Sequence, residues 1–188
     1  MKKKLLIHYC CGPCGFKFKQ YFNENYELIG FWCNPNIQPI EEYEKRKDSF
    51  VKLHKKQSIA YIETYPEKFS QWIYSVKKAL KDGVDRCTAC YTMRLQEAYQ
   101  KMIELKLDFF TTTLLASPYQ KHDLIKEIGI MTGGAHFVYN DFRTSYYAGR
   151  NTARAEGFYI QNYCGCLLSL EERRINDRSV QTLTLKKQ

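Results

Sequence analysis

The stretch Lys4-Leu5-Leu6-Ile7-His8-Tyr9-Cys10-Cys11-Gly12-Pro13-Cys14 decides the fold. Its unbroken apolar run reads as a strand over residues 4–9 buried on both faces, and Gly12-Pro13 ends it before a helix expected over residues 15–23. The same unit recurs along the chain. Strands are expected at 27–32, 59–62 and 109–113, and helices at 39–56, 66–81, 87–105, 121–131 and 168–175. In the helix at 66–81, Phe69, Ile73, Val76 and Leu80 fall near helical spacing. An aromatic and arginine-rich stretch occupies 136–154. Strands alternating with helices of this length require crossover connections, hence a mainly parallel sheet covered on both faces. The expected class is a Rossmann-like α/β fold, one domain over 1–188, whose final third (about 136–188) packs across the sheet's edge.

Composition bounds the function. The 188 residues are 44% hydrophobic and 15% aromatic, which excludes a disordered or fibrous chain. Lys plus Arg is 29 against 20 Asp plus Glu, a net charge of +9 that favours a polyanionic partner such as nucleic acid, with a merely solubilising charge as the bland alternative. No apolar run approaches the roughly 18 residues that span a bilayer, so no membrane partner is expected. Met1-Lys2-Lys3-Lys4 resembles the start of a signal peptide, but His8 and Cys10 interrupt the apolar stretch behind it. A cytoplasmic location follows as the expectation, and eight cysteines in a reducing compartment point to metal or redox chemistry.

Ligands of open parallel sheets bind beyond the carboxyl ends of the strands, and Cys10, Cys11, Cys14 and Cys33 all fall just after expected strands. Cys87-Thr88-Ala89-Cys90 sits at a helix start, where residues three apart share a face and the helix dipole favours thiolate. A CxxC is read as a zinc ligand pair, a redox dithiol or half of an iron–sulfur ligand set. One CC, one CxxC and one CxC make an awkward zinc pattern. Four thiolates from Cys10, Cys11, Cys87 and Cys90 would suit a 4Fe-4S cluster, and both metals stay open on spacing alone. Cys164-Gly165-Cys166 is a close dithiol that could cycle through a disulfide or chelate a second metal. Cys14 and Cys33 read equally well as small buried hydrophobes.

His8-Tyr9-Cys10-Cys11-Gly12-Pro13-Cys14, Asn34-Pro35-Asn36-Ile37 with Glu42-Tyr43, Cys87-Thr88-Ala89-Cys90-Tyr91 with Arg94, Thr112-Thr113-Leu114 with Ser117-Pro118, and Tyr163-Cys164-Gly165-Cys166 together resemble the QueH type of epoxyqueuosine reductase over nearly the whole chain. The resemblance implies two-electron removal of the epoxide oxygen from epoxyqueuosine at the wobble position of tRNA, the last step to queuosine, without cobalamin. It implies a 4Fe-4S cluster on Cys10, Cys11, Cys87 and Cys90, a redox-active pair at Cys164 and Cys166, and a C-terminal third that completes the active site and the tRNA surface. The electron donor is not indicated. Gly12 stands where alanine is common in the motif, a small-for-small exchange. The implied fold resembles the adenine-nucleotide α-hydrolase group, but the Ser-Gly-Gly phosphate loop of its ATP pyrophosphatases is missing, so no ATP use is expected.

Turning an epoxide into an alkene needs two electrons, a polarised C–O bond and protons to release water. Cys164 and Cys166, with Cys14 nearby in the motif set, could form a second redox element or bind a separate mononuclear iron acting as a Lewis acid. Candidate proton donors are His8, Asp85, Tyr91 and Asp141, although His8 also reads as a satisfied strand histidine and Asp85 as the start of a helix. Arg143, Tyr146, Tyr147, Arg150 and Arg154 alternate cations for phosphate with rings for an unpaired base, while the bland reading is a helix with buried tyrosines and solvated arginines. Lys121 and His122 could add a phosphate contact at a helix N-terminus. Two rivals stand beside this reading: a tRNA thiolation or sulfur-transfer enzyme, opposed by the missing phosphate loop, and a zinc-stabilised RNA-binding module without turnover.

Overall fold

The computed structural model describes residues 2–64 and 68–185, those from 178 onward by backbone alone. Its centre is β1 (Lys3–His8), where Leu5, Leu6 and Ile7 are wholly buried. A strand with apolar residues on both faces must be flanked and covered on both sides. β2 (Tyr26–Trp32) pairs with it in parallel, Leu5 opposite Leu28 and His8 opposite Phe31. After α3 (Ile40–Gln57), β3 (Ala60–Glu63) adds outside β2, and the chain later returns to place β4 (Phe109–Thr112) on the other side of β1. The order β3-β2-β1-β4 is parallel throughout, as the α/β reading requires. It reverses direction between β1 and β4, so the crevice beyond their carboxyl ends is the natural ligand position.

The helix expected over 15–23 is two short ones, α1 (Gly12–Gly15) and α2 (Phe18–Phe22). Helix starts as soon as β1 ends because Pro13 sits in the first turn, where its missing N–H costs nothing, and the Cys11 sulfur accepts the Cys14 N–H at 3.4 Å. Gly12 is no free choice beside α3, since a Cβ there would lie 2.6 Å from the Ser49 carbonyl oxygen. Phe18 and Phe22 instead turn inward against Phe142, with ring centroids 4.5 and 5.6 Å away.

In α4 (Phe69–Lys81) the buried residues are Trp72, Val76 and Ala79, while Leu80 is exposed. Phe69, Ile73 and Val76 of the expected stripe pack in one cluster with Trp72, Cys90 and Cys166, and only Leu80 falls outside it. Pro66 and Glu67, expected to begin this helix, lie outside the described residues. Asp85 caps α5 (Arg86–Glu104) by accepting the Cys87 N–H at 2.8 Å. α6 (His122–Gly133) and α7 (Tyr146–Ala155) follow, and α8 runs over Leu167–Leu185, well beyond the 168–175 expected. No helix among the described residues is long and apolar enough to cross a membrane.

His54 on α3 is wedged between the rings of Tyr9 and Phe50, at 4.5 and 4.1 Å between centroids. Its Nδ1 lies 2.8 Å from the Phe50 carbonyl oxygen, and Nε2 is buried without a partner. Burial holds its pKa down to about 4 from an ordinary 6.5. The unfolded chain therefore takes up this proton before the folded one, and stability complete above pH 6.5 is lost as pH falls through that window towards 4. Denaturant midpoints measured across it should decline, and His54→Gln should flatten the decline. An unchanged slope in the variant would mean the proton is taken up elsewhere.

Candidate functional site

The loop leaving β1 delivers Cys10, Cys11 and Cys14 to one point, with their sulfurs all within 4.8 Å of one another and Cys10 to Cys11 at 3.8 Å. Adjacent strand residues face opposite ways, so this convergence depends on the immediate turn into α1. Thr113, just past β4, accepts the Cys10 N–H at 3.1 Å through its hydroxyl and offers that hydroxyl to the Cys10 sulfur at 3.4 Å. Thiol hydrogen bonds from Cys11 and Cys14 hold the Cys10 pKa well below its ordinary value against the effect of burial, with help from Arg94. Burial and the neighbouring Cys10 push Cys11 up, and Cys10 and Cys11 push Cys14 up. The triad thus places its negative charge on Cys10.

The buried amide of Gln161 donates from Nε2 to the Cys11 sulfur at 2.8 Å and reaches the Cys14 sulfur at 3.5 Å. Two buried arginines flank the thiols. Arg46 on α3 pairs with Glu42 at 2.7 Å and donates to the carbonyl oxygens of Cys164 (2.9 Å) and Tyr163 (3.0 Å). It pins the CxC loop beside Gly165, whose φ of +125° suits glycine alone. Arg94 on α5 donates to Asn34 Oδ1 at 2.7 Å, and Asn34 in turn donates to the Tyr9 carbonyl oxygen at 2.8 Å.

The remaining thiols lie outside this triad. Cys90 and Cys166 are buried in a small cluster with Trp72 and Val76, and Cys166 contacts Ser169 Oγ at 3.3 Å. Cys164 faces Gln120, whose amide nitrogen is 3.6 Å from its sulfur. Burial followed by neighbouring thiols pushes Cys87 and Cys164 up to about 11, so the helix start does not deliver the thiolate expected at Cys87. All eight cysteines are free. Cys14 sits with Cys10 and Cys11, and Cys33 is a buried thiol whose pKa burial raises.

A cavity of about 660 Å³ opens over these groups. Cys10, Cys14 and Cys164 reach its wall, as do Tyr146, Arg150 and Arg154 from α7. Exposed Tyr119 and Tyr147 flank Tyr146 at centroid distances of 5.9 and 5.2 Å. Arg143 is absent from the cavity wall and forms an ion pair with Asp141 at 2.6 Å.

Among the proposed proton donors, His8 is wholly buried, 2.8 Å from Thr112 Oγ1 and 3.2 Å from the Cys33 carbonyl oxygen, and burial lowers its pKa to about 3. It is a neutral strand histidine. Asp85 caps α5 and pairs with Lys121, while Asp141 is held ionised by Arg143. Tyr91 alone of the four reaches a cavity residue, donating to Gln120 Oε1 at 2.7 Å. Lys121 pairs with Asp85, and buried His122 lies 3.0 Å from the Leu115 carbonyl oxygen.

Converging buried thiols, one of them with its pKa held well down, beside a buried guanidinium with an unpartnered Nε fit a thiolate-bound metal group of negative charge. Sequence spacing gave no sign of Gln161 or Gln120, which reach the thiols from far along the chain. Glu42 and Arg46, an i,i+4 pair, were visible as a pattern but not as a loop clamp.

A family model described as epoxyqueuosine reductase QueH matches residues 5–172. An epoxyqueuosine reductase QueH from Thermotoga maritima is 36% identical over 179 residues, covering 90% of this chain and 92% of the relative. One from Dehalococcoides mccartyi is 31% identical over 182 residues, covering 92% and 96%. Among solved structures, the U34-tRNA thiolase NcsA from Methanococcus maripaludis with its 4Fe-4S cluster gives a TM-score of 0.43 at 16% identity, over 87% of this chain and 49% of its own. That likeness is too loose to carry an argument.

Replacing Arg46 by Met leaves Glu42 buried without its cation and frees the carbonyls of residues 163 and 164. Unfolding free energy should fall by about 3 kcal/mol, and mass spectrometry should find Cys164 alkylated faster than in the parent protein while Cys90 keeps its rate. Equal acceleration at both thiols would make Arg46 a general stability residue.

Proposed function

The chain belongs to the epoxyqueuosine reductase QueH family, and from that premise we propose that it reduces epoxyqueuosine to queuosine in tRNA at the cavity between the thiols and α7. The observation that carries this reading is that Cys10, Cys14 and Cys164 share one cavity with Tyr146, Arg150 and Arg154. The net reaction takes up two electrons and two protons, closes the C–C double bond as the epoxide C–O bonds break, and releases the oxygen as water.

Cys10, Cys11, Cys87 and Cys90 are the proposed ligands of a 4Fe-4S cluster, which when bound supplies electrons one at a time. Cys164 and Cys166 are the proposed second redox element, either a dithiol that gives up two electrons and two protons on closing to a disulfide or, with Cys14, ligands of a separate iron. The electron donor that restores them comes from outside the chain. The Arg46 clamp orients Cys164 towards the cavity. Tyr91 holds the Gln120 side chain by donating to its Oε1, which aims the amide at Cys164, and where Cys164 and Cys166 act as a dithiol the two protons come from that pair.

The substrate is a tRNA whose wobble base is unpaired from its stack. Arg150 and Arg154 meet phosphates, and Tyr119, Tyr146 and Tyr147 offer ring faces and edges at the cavity mouth. The 136–188 segment thereby completes the proposed site, and a tRNA substrate fits a cytoplasmic enzyme. Neither cobalamin nor ATP enters this scheme.

One observation favours the zinc-stabilised rival: 3.8 Å between the Cys10 and Cys11 sulfurs suits two ligands about 2.3 Å from one tetrahedral ion. Anaerobic purification with iron, sulfide and zinc analysis, followed by a reductant-driven assay on tRNA carrying epoxyqueuosine, decides between them. Iron, sulfide and queuosine are expected. Zinc without iron, and no product after reconstitution with iron and sulfide, would replace the enzyme by the RNA-binding module. Cys164→Ser and Cys166→Ser should abolish turnover with the cluster intact, and Arg150→Glu should weaken tRNA binding about tenfold and flatten its salt dependence.

A further inference from the structure

Arg94 carries a permanent charge into the interior, only 1% exposed and among the largest fully buried side chains. Buried arginines are ordinarily matched by a carboxylate, as Arg46 is by Glu42 at 2.7 Å. Among the described residues no carboxylate pairs with Arg94. One donor goes to Asn34 Oδ1 at 2.7 Å, Nε has no partner, and Glu97, the nearest acid along α5, is taken by Lys68 at 2.5 Å. Cys90 lies one turn back on the same face of α5 instead, and the charge of Arg94 acts on the thiols of Cys90, Cys10 and Cys164, from three separate segments.

We propose that Arg94 is the resident counter-charge of the metal–thiolate group, which takes the place of the carboxylate a buried arginine ordinarily has, and that this positioning residue raises the group's reduction potential. Adding an electron makes the group more negative, and a fixed cation nearby favours that state over the oxidised one. Asn34 sets the position of the guanidinium. Its amide bridges Arg94 to the Tyr9 carbonyl, the peptide group just before Cys10, so the cation is registered against the β1 thiol loop and not only against α5. This inference rests on the thiolate-bound metal of the reading above and not on its RNA substrate.

The test uses the full chain, anaerobically reconstituted with iron and sulfide, in Arg94→Gln, Arg94→Lys and Asn34→Asp forms. Arg94→Gln removes the charge, whereas Asn34→Asp leaves the guanidinium in place and gives it the missing acid. Both should shift the one-electron equilibrium about tenfold towards the oxidised state, a potential lower by about 59 mV, and both should lose iron to a chelator at least about tenfold faster than the parent. Arg94→Lys keeps the charge and should stay close to the parent in both measurements. Should Arg94→Gln fail to fold, Asn34→Asp decides alone. Unchanged potential and iron release at full iron content would overturn the role of Arg94 while leaving the metal reading standing. A parent protein that holds no iron on these thiols would sink both.

Discussion

Burial of charge at the end of β1 is the constraint on which the rest of the structure depends. The central strand is buried on both faces, so the loop that leaves it emerges inside the protein and its thiols are never far from apolar surroundings. Negative charge on Cys10 is favoured there first by thiol hydrogen bonds from Cys11 and Cys14 of the same loop, and the site adds hydrogen-bond donors and guanidinium groups brought in from elsewhere. Each of them comes from a different element: Thr113 after β4, Gln161 beyond α7, Arg46 on α3, Arg94 on α5. The reversal of strand order between β1 and β4 opens the space, and the helices on both faces supply the charges that make it habitable.

Much of the fold was legible because its signals are local. The Leu5-Leu6-Ile7 run, the Gly-Pro break and the alternation of strand and helix are enough to require a parallel sheet, and the observed sheet has every strand in its expected place to within about a residue. Other features depended on contacts that a linear reading does not contain. The α1–α2 break follows from Cys11 capping its own helix and from Phe18 and Phe22 turning to meet Phe142, more than a hundred positions later. The place of Trp72 beside the α4 stripe follows from its closing with Val76 over Cys90 and Cys166.

For the site, residue type was informative and assembly was not. Cysteine spacing picked out the motifs, but not the convergence of Cys14 on Cys10 and Cys11, because nothing in the spacing reveals that α1 begins at Gly12 and folds Cys14 back onto Cys11. Dipole reasoning at the CxxC pointed towards a thiolate at Cys87, and burial among other thiols outweighs it. His8 and Asp85 were readable in their structural roles, as a strand histidine and a helix cap. The Asp141 partner of Arg143 and the Leu115 carbonyl beside His122 had no signal in the spacing.

The basic helix and the thiols are not separate modules. Arg150, on the cavity wall, donates to the Tyr146 hydroxyl at 3.2 Å and to the Gln161 carbonyl at 3.1 Å, while the side chain of that same Gln161 donates to the Cys11 sulfur. One residue therefore separates an arginine proposed to meet phosphate from the thiol triad. A fold built only to bind a polyanion would gain from keeping its cations clear of buried thiolates, which attract them inward and compete with phosphate. Placing both on one wall makes physical sense when the anionic partner must deliver part of itself to the sulfurs. In that arrangement the distance from Arg150 to Cys11 is set by a single amide side chain and not by the packing of two domains.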